Sequence, residues 1–170
     1  MRSDLLLAFV AACLLAGLSV CSAQPDREYD HGLIILEGGA AGETGMHHGA
    51  ANFGPNLAAE ITPIEGWLEI EAGVSALVSD EHPEFSEDLV FKKPFQLSSS
   101  AELMVGLGPF LSHTSSGADR GTAHGVEIVF DFMFWPHQRR GWYLEPSWSR
   151  AAGTGEQTLG LTAGYLFGLR

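Results

Sequence analysis

Leu159-Gly160-Leu161-Thr162-Ala163-Gly164-Tyr165-Leu166-Phe167 decides the fold class. Bulky apolar residues stand at 159, 161, 165 and 167, with small Ala163 completing the row. Gly160, Thr162 and Gly164 lie between them, and no charge intrudes. Alternation with a period of two is the signature of a strand with two unlike faces. One greasy face opposite a small and polar one predicts a strand of a membrane-spanning barrel.

The same rhythm recurs upstream. Period-two alternation bounded by turn residues predicts eight strands, at 32–42, 51–62, 66–78, 88–97, 101–113, 123–135, 141–150 and 157–169. The links between them, 43–50, 63–65, 79–87, 98–100, 114–122, 136–140 and 151–156, alternate between longer and shorter. The fold class is therefore all-β, an eight-stranded antiparallel up-and-down transmembrane barrel. Its long loops face outside the cell and its short turns face the periplasm. An even strand count leaves both termini on the periplasmic side.

The chain has 170 residues and a net charge of −12. Such acidity argues against nucleic acid as a partner. Arg2 precedes an uncharged, mostly apolar run from Leu5 to Val20, and Cys21-Ser22-Ala23 follows with residues suited to signal cleavage. Residues 1–23 are read as a cleaved signal peptide, 24–31 as a loose periplasmic leader and 32–170 as the barrel. The apolar run is shorter than a membrane helix requires and lacks basic flanks on its far side. Leu18-Ser19-Val20-Cys21 is an alternative lipoprotein signal, which would lipidate Cys21. Both cysteines, Cys13 and Cys21, lie in the signal, so the mature chain has no thiol for disulfides or metal. Only a closed barrel takes such a chain across a membrane, because an open sheet edge leaves backbone groups unpaired in lipid.

Facing refines the assignment. Leu68, Ile70, Ala72, Val74, Ala76 and Val78 share one face, and Glu69, Glu71, Gly73 and Ser75 share the other. Leu103, Val105, Leu107 and Leu111 oppose Glu102, Met104, Gly106 and Gly108. Val126, Ile128, Phe130, Phe132 and Phe134 oppose Gly125, Glu127 and Asp131. In a membrane the acidic rows point inward, because a carboxylate on the lipid face is costly at mid-membrane. A soluble, lipocalin-like periplasmic binding barrel inverts this, with its apolar residues inside. Alternation by itself does not choose between the two. The export signal, the small residues of the inward rows and the tryptophans near strand ends (Trp67, Trp135, Trp142 and Trp148) favour the membrane form, although Trp67 and Trp135 have inward parity. Pro109 and Pro146 fall within strands and predict bulges or strand ends. Lys93 falls on the lipid face between Phe91 and Phe95, near the periplasmic end, where it snorkels to the headgroups.

Four segments carry a resemblance: Pro63-Ile64-Glu65-Gly66-Trp67-Leu68-Glu69, Phe91-Lys92-Lys93-Pro94-Phe95, Phe132-Met133-Phe134-Trp135-Pro136 and Gly141-Trp142-Tyr143-Leu144-Glu145-Pro146. Together they resemble small, largely uncharacterised outer-membrane β-barrel proteins of Gram-negative bacteria. The resemblance covers residues 33–169. It implies the barrel fold and the outer membrane, with outer-membrane lipids and the barrel-assembly machinery as partners. It assigns no activity, ligand or site residue. A terminal aromatic is usual in such proteins, whereas this chain stops at Phe167-Gly168-Leu169-Arg170.

The inward carboxylates are the most unusual chemical feature. Glu37, Glu60, Glu69, Glu71, Asp88, Glu102, Glu127, Asp131 and Glu145 are all expected in the lumen, with Lys92 the one inward base. The interior of an eight-stranded barrel is filled by side chains, and crowded carboxylates there cannot all be charged without partners. Tyr143, Thr62 and Ser75 are candidates to share hydrogen bonds with them. Oxygen ligands suit a hard cation, but no segment has the spacing of a calcium loop, so neither a metal nor a cofactor is assigned. His47, His48, His82, His113 and His124 gather toward the outer side without a tight ligand spacing. His113-Thr114-Ser115 is similar to the His-x-Ser of outer-membrane lipid A deacylases, which are also eight-stranded barrels. There an Asn follows the Ser, and here Ser116 does. Glu127 is the nearest candidate acid for that set. The expectation is a small non-enzymatic outer-membrane barrel with a structural or loop-mediated envelope role. The alternatives are a deacylase-like hydrolase using His113 and Ser115, or the soluble binding barrel.

Overall fold

A computed structural model describes residues 34–46, 51–78, 83–114 and 121–169. The signal segment, the leader, Ser115, Ser116, His47, His48 and His82 lie outside them. Eight strands follow in chain order: β1 (Ile34–Gly45), β2 (Ala51–Ile64), β3 (Leu68–Val78), β4 (Pro83–Ser98), β5 (Ala101–Thr114), β6 (Gly121–His137), β7 (Arg140–Ala151) and β8 (Gln157–Leu169). Each pairs antiparallel with its neighbours in sequence, and β8 closes on β1. No backbone edge is left open. The strand ends that flank 46–50, 79–82, 115–120 and 152–156 lie at one end of the barrel, the loop end. Shorter turns at 65–67, 99–100 and 138–139 lie at the other, the turn end. Gly66, with φ of 65°, supplies the left-handed residue of the first turn.

The strands run further toward the loop end than the alternation indicates. β4 begins at Pro83 rather than 88, and β1 continues to Gly45. Polar residues keep the period of two there, as in Glu84-Phe85-Ser86-Glu87, where the apolar signal that marks a strand has faded. The prolines also behave differently from expectation. Pro109 pairs with Val126 and Pro146 with Leu161, both inside uninterrupted registers. Each instead leaves a gap in the ladder on its other side: β4–β5 pairing lapses between Asp88 and Phe91, and β6–β7 pairing between Val129 and Phe132. Proline has no N–H to donate, and the strand tolerates the lost bond without bulging. The irregularities lie at the turn end instead, at Ile61/Ile64, Gln96/Ser98 and Phe134/His137.

One row of paired residues circles the barrel. Ile34 pairs with Ile61, Ile61 with Ile70, Ile70 with Phe91, Phe91 with Leu107, Leu107 with Ile128, Ile128 with Trp148 and Trp148 with Leu159. Leu159 meets β1 at Thr44, ten residues beyond the start. This stagger tilts the strands and leaves a lumen that side chains fill. Every residue of the row up to Leu159 is apolar and points outward. Leu107 is 56% exposed and Leu57, on the same outer face, 63%. The lipocalin-like arrangement is not the one observed. Trp142 stands outside, stacked on Phe134 with ring centroids 4.0 Å apart. Trp135 points inward and is buried, so it belongs to no interface girdle. Lys93 is outside at the turn end, where its ammonium donates to the Gly66 carbonyl oxygen at 2.7 Å.

Candidate functional site

The lumen is organised in three levels. At the turn end Ile35, Met104, Met133, Trp135, Tyr143 and Leu166 pack into a buried apolar cluster. At mid-height sits Lys92, 1% exposed. Toward the loop end the interior opens into a cleft of about 320 Å³, lined by Glu43, Asn52, Glu84, Phe110, Ser112, Glu127 and Glu156 among others.

Lys92 projects inward from β4. Gly106, on neighbouring β5, clears its path: a Cβ there would lie 2.9 Å from Lys92 Cγ and 2.5 Å from Val90 Cγ1. The ammonium donates to Glu71 Oε2 at 2.5 Å, Glu145 Oε2 at 2.9 Å and Asp131 Oδ2 at 3.0 Å. Glu60 Oε2 lies 3.7 Å away. One lysine thus gathers carboxylates from β2, β3, β6 and β7. The requirement is plain in the register, because Glu60 and Glu71 stand directly opposite each other on β2 and β3. Facing like charges repel, and a shared cation turns the pair into an asset.

All nine carboxylates expected in the lumen have inward parity, and Lys92 is the inward base among the described residues. Two more join them. Glu43 and Glu84 fall where the alternation reads loops, but they lie on inward positions of β1 and β4. Glu84 accepts hydrogen bonds from Ser112 and from Asn52. For Tyr143 and Ser75 the expected sharing with carboxylates is replaced by a neutral network. The Tyr143 hydroxyl donates to Asn56 Oδ1 at 3.0 Å, and Asn56 Nδ2 donates to Ser75 Oγ at 3.0 Å. Asn56 has inward parity on β2, so a reading of its face together with Tyr143 would have found it. Several carboxylate oxygens are buried and receive no hydrogen bond: Glu37 Oε1, Glu60 Oε1 and Oε2, Glu69 Oε2, Glu127 Oε1 and Asp131 Oδ1.

His113 and Glu127 do not come together. Glu127 faces the lumen, whereas His113 has the outward parity of Leu111 and its Nδ1 lies 3.0 Å from Thr122 Oγ1 on β6. A base must reach its orienting acid, and here the wall of the barrel separates them. His124 is also outward, paired with Leu111. What the lumen offers chemically is oxygen ligation and fixed negative charge around one ammonium.

No protein-family model matches the sequence, and no curated protein matches it. Solved structures do resemble the fold. Neisserial surface protein A superposes with a TM-score of 0.64 at 12% identity, covering 80% of this chain and 97% of that one. The outer membrane protein OprG from Pseudomonas aeruginosa gives 0.62 at 9% identity, covering 81% and 97%. Ail, the attachment invasion locus protein of Yersinia pestis, gives 0.54 at 13% identity, covering 79% and 96%. At these identities the likeness is one of architecture. The chain has the fold of the small eight-stranded barrels of bacterial outer membranes.

Proposed function

We propose that the protein spans a bacterial outer membrane as a non-enzymatic barrel and acts through its loop end, with residues 1–23 removed on export. The apolar circuit from Ile34 round to Leu159, set against an interior of carboxylates, carries this reading. Lipid solvates the outer face at no cost, and the closed hydrogen-bond ladder leaves nothing unpaired in hydrocarbon. Outer-membrane lipids and the barrel-assembly machinery are then its partners, and the longer links face outside.

The lumen is closed rather than porin-like. Lys92 at mid-height and Met104, Met133 and Leu166 below it are all but inaccessible to solvent. The open part is the vestibule at the loop end, whose carboxylates Glu43, Glu84, Glu127 and Glu156 select for cationic or hydrogen-bonding visitors. Ail has been crystallised with a heparin analogue, sucrose octasulfate; a polyanion of that kind is repelled here.

Membrane fractionation with heat-modifiable gel migration tests the reading. The protein is expected in the outer-membrane fraction, with a folded form that runs faster before boiling, a mature chain that begins at Gln24 and no steady conductance in planar bilayers. Recovery from the soluble periplasm would overturn the membrane assignment, and a stable open channel would overturn the closed lumen.

A further inference from the structure

Glu37, Glu60, Glu71 and Asp131 each offer a carboxylate oxygen, and these four atoms lie within 4.8 Å of one another. Opposite ligands across a calcium ion, with bonds of about 2.3–2.6 Å, are about 4.6–5.2 Å apart. The four oxygens therefore fit around one such ion. All four residues are at least nine-tenths buried: Glu37 and Glu71 are 4% exposed, Glu60 and Asp131 0%.

A second observation points to a cation as ligand. Lys92 bonds Oδ2 of Asp131 and lies near Oε2 of Glu60, while Asp131 Oδ1, Glu60 Oε1 and Glu37 Oε1 receive no hydrogen bond. Glu37 has no ion pair with Lys92 within the reach that Glu60, Glu71, Asp131 and Glu145 have. Five carboxylates thus face one ammonium, and these three oxygens stay without a donor. A buried carboxylate with no partner is costly, and a divalent ion beside Lys92 halves the imbalance.

The site also has an entrance. Two of the four residues, Glu37 and Glu71, line a chamber of about 40 Å³ together with Asp88, Glu127 and Glu145, large enough for a water molecule beside the ion. Through Glu43, Ser86, Glu127 and Ser147 the chamber adjoins the loop-end vestibule. Glu43 and Glu127 place carboxylates on this path, and among the described residues no base lines it.

We propose that the lumen binds one calcium ion beside Lys92, ligated by Glu37, Glu60, Glu71 and Asp131. Carboxylate oxygens are hard ligands that select calcium over zinc or copper. Four side chains from four different strands also leave the flexible geometry that calcium accepts more readily than magnesium.

The experiment uses the full mature chain folded in detergent micelles and stripped with EDTA, and it does not depend on the membrane reading. Calorimetric titration with calcium chloride is expected to show one saturable equivalent, and Tm should rise with calcium concentration. Glu37→Gln should weaken binding at least tenfold and remove most of the Tm shift, while Glu87→Gln on the outer face should change neither. Glu37→Gln keeps the side-chain volume and touches no ion pair of Lys92; if it fails to fold, Glu60→Gln carries the same measurement. The proposal is overturned by an absence of saturable binding, by binding unchanged in these variants, or by zinc or magnesium binding more tightly than calcium.

Discussion

Replacing Lys92 by methionine removes the one positive charge from the centre of the barrel and keeps the apolar stem that packs beside Gly106 and Val90. The ammonium holds three carboxylates at 2.5–3.0 Å and a fourth at 3.7 Å, and it is fully withdrawn from solvent. Removing one partner from a buried ion network leaves uncompensated charge and costs about 3–5 kcal/mol. With a urea dependence of about 1–3 kcal/mol/M, the unfolding midpoint should fall by about 1–5 M. The measurement is equilibrium unfolding in detergent or bilayers with EDTA present, followed by tryptophan fluorescence and by gel mobility. Adding Glu71→Gln to Lys92→Met should recover part of the loss, because it takes away one of the stranded charges. The same change in the wild-type background should not stabilise by as much, so the two effects are non-additive. A Lys92→Met protein within about 0.5 kcal/mol of wild type would refute the reasoning, since it would mean that the lumen carboxylates are not held as charges by this lysine.

Three further outcomes test other parts of the molecule. Ile70→Asp places a carboxylate in the outer apolar row between Ile61 and Phe91; folding into bilayers should weaken by no more than the about 2–4 kcal/mol of a mid-membrane Arg or Lys, and full tolerance would turn the barrel inside out. Single cysteines at Gly153 and Gln138 lie at opposite ends of the barrel; an impermeant maleimide on whole cells should label the first, and preferential labelling of the second would invert the topology. Ser115→Ala should leave lipid A acylation unchanged in cells and with purified protein, since His113 and Glu127 face opposite sides of the wall; release of an acyl chain that depends on Ser115 would reverse the non-enzymatic reading.

Much of this fold is legible in the order of residues, because side-chain alternation in a strand is a local property. The count of eight strands, the long–short rhythm of the links and the common face of Glu37, Glu60, Glu69, Glu71, Asp88, Glu102, Glu127, Asp131, Glu145 and Lys92 all follow from residues two apart in the chain. Alternation is symmetric between the faces and a barrel closes with either one outward, so only the tertiary structure decides which it is. The strand ends were hidden for a related reason: Glu43 and Glu84 continue the period of two in polar residues, which read as loop. Pro109 and Pro146 read as breaks, yet the antiparallel neighbour on the other side, which needs no proline N–H, keeps each in register.

The site belongs to the tertiary structure alone. Lys92 meets Glu60, Glu71, Asp131 and Glu145 because the ten-residue stagger brings positions from five strands to one height. Register between strands depends on how the whole sheet closes, and no local pattern encodes it. Period two determines that the carboxylates share one face; only the closed barrel decides that this face is the lumen and which other charges meet there.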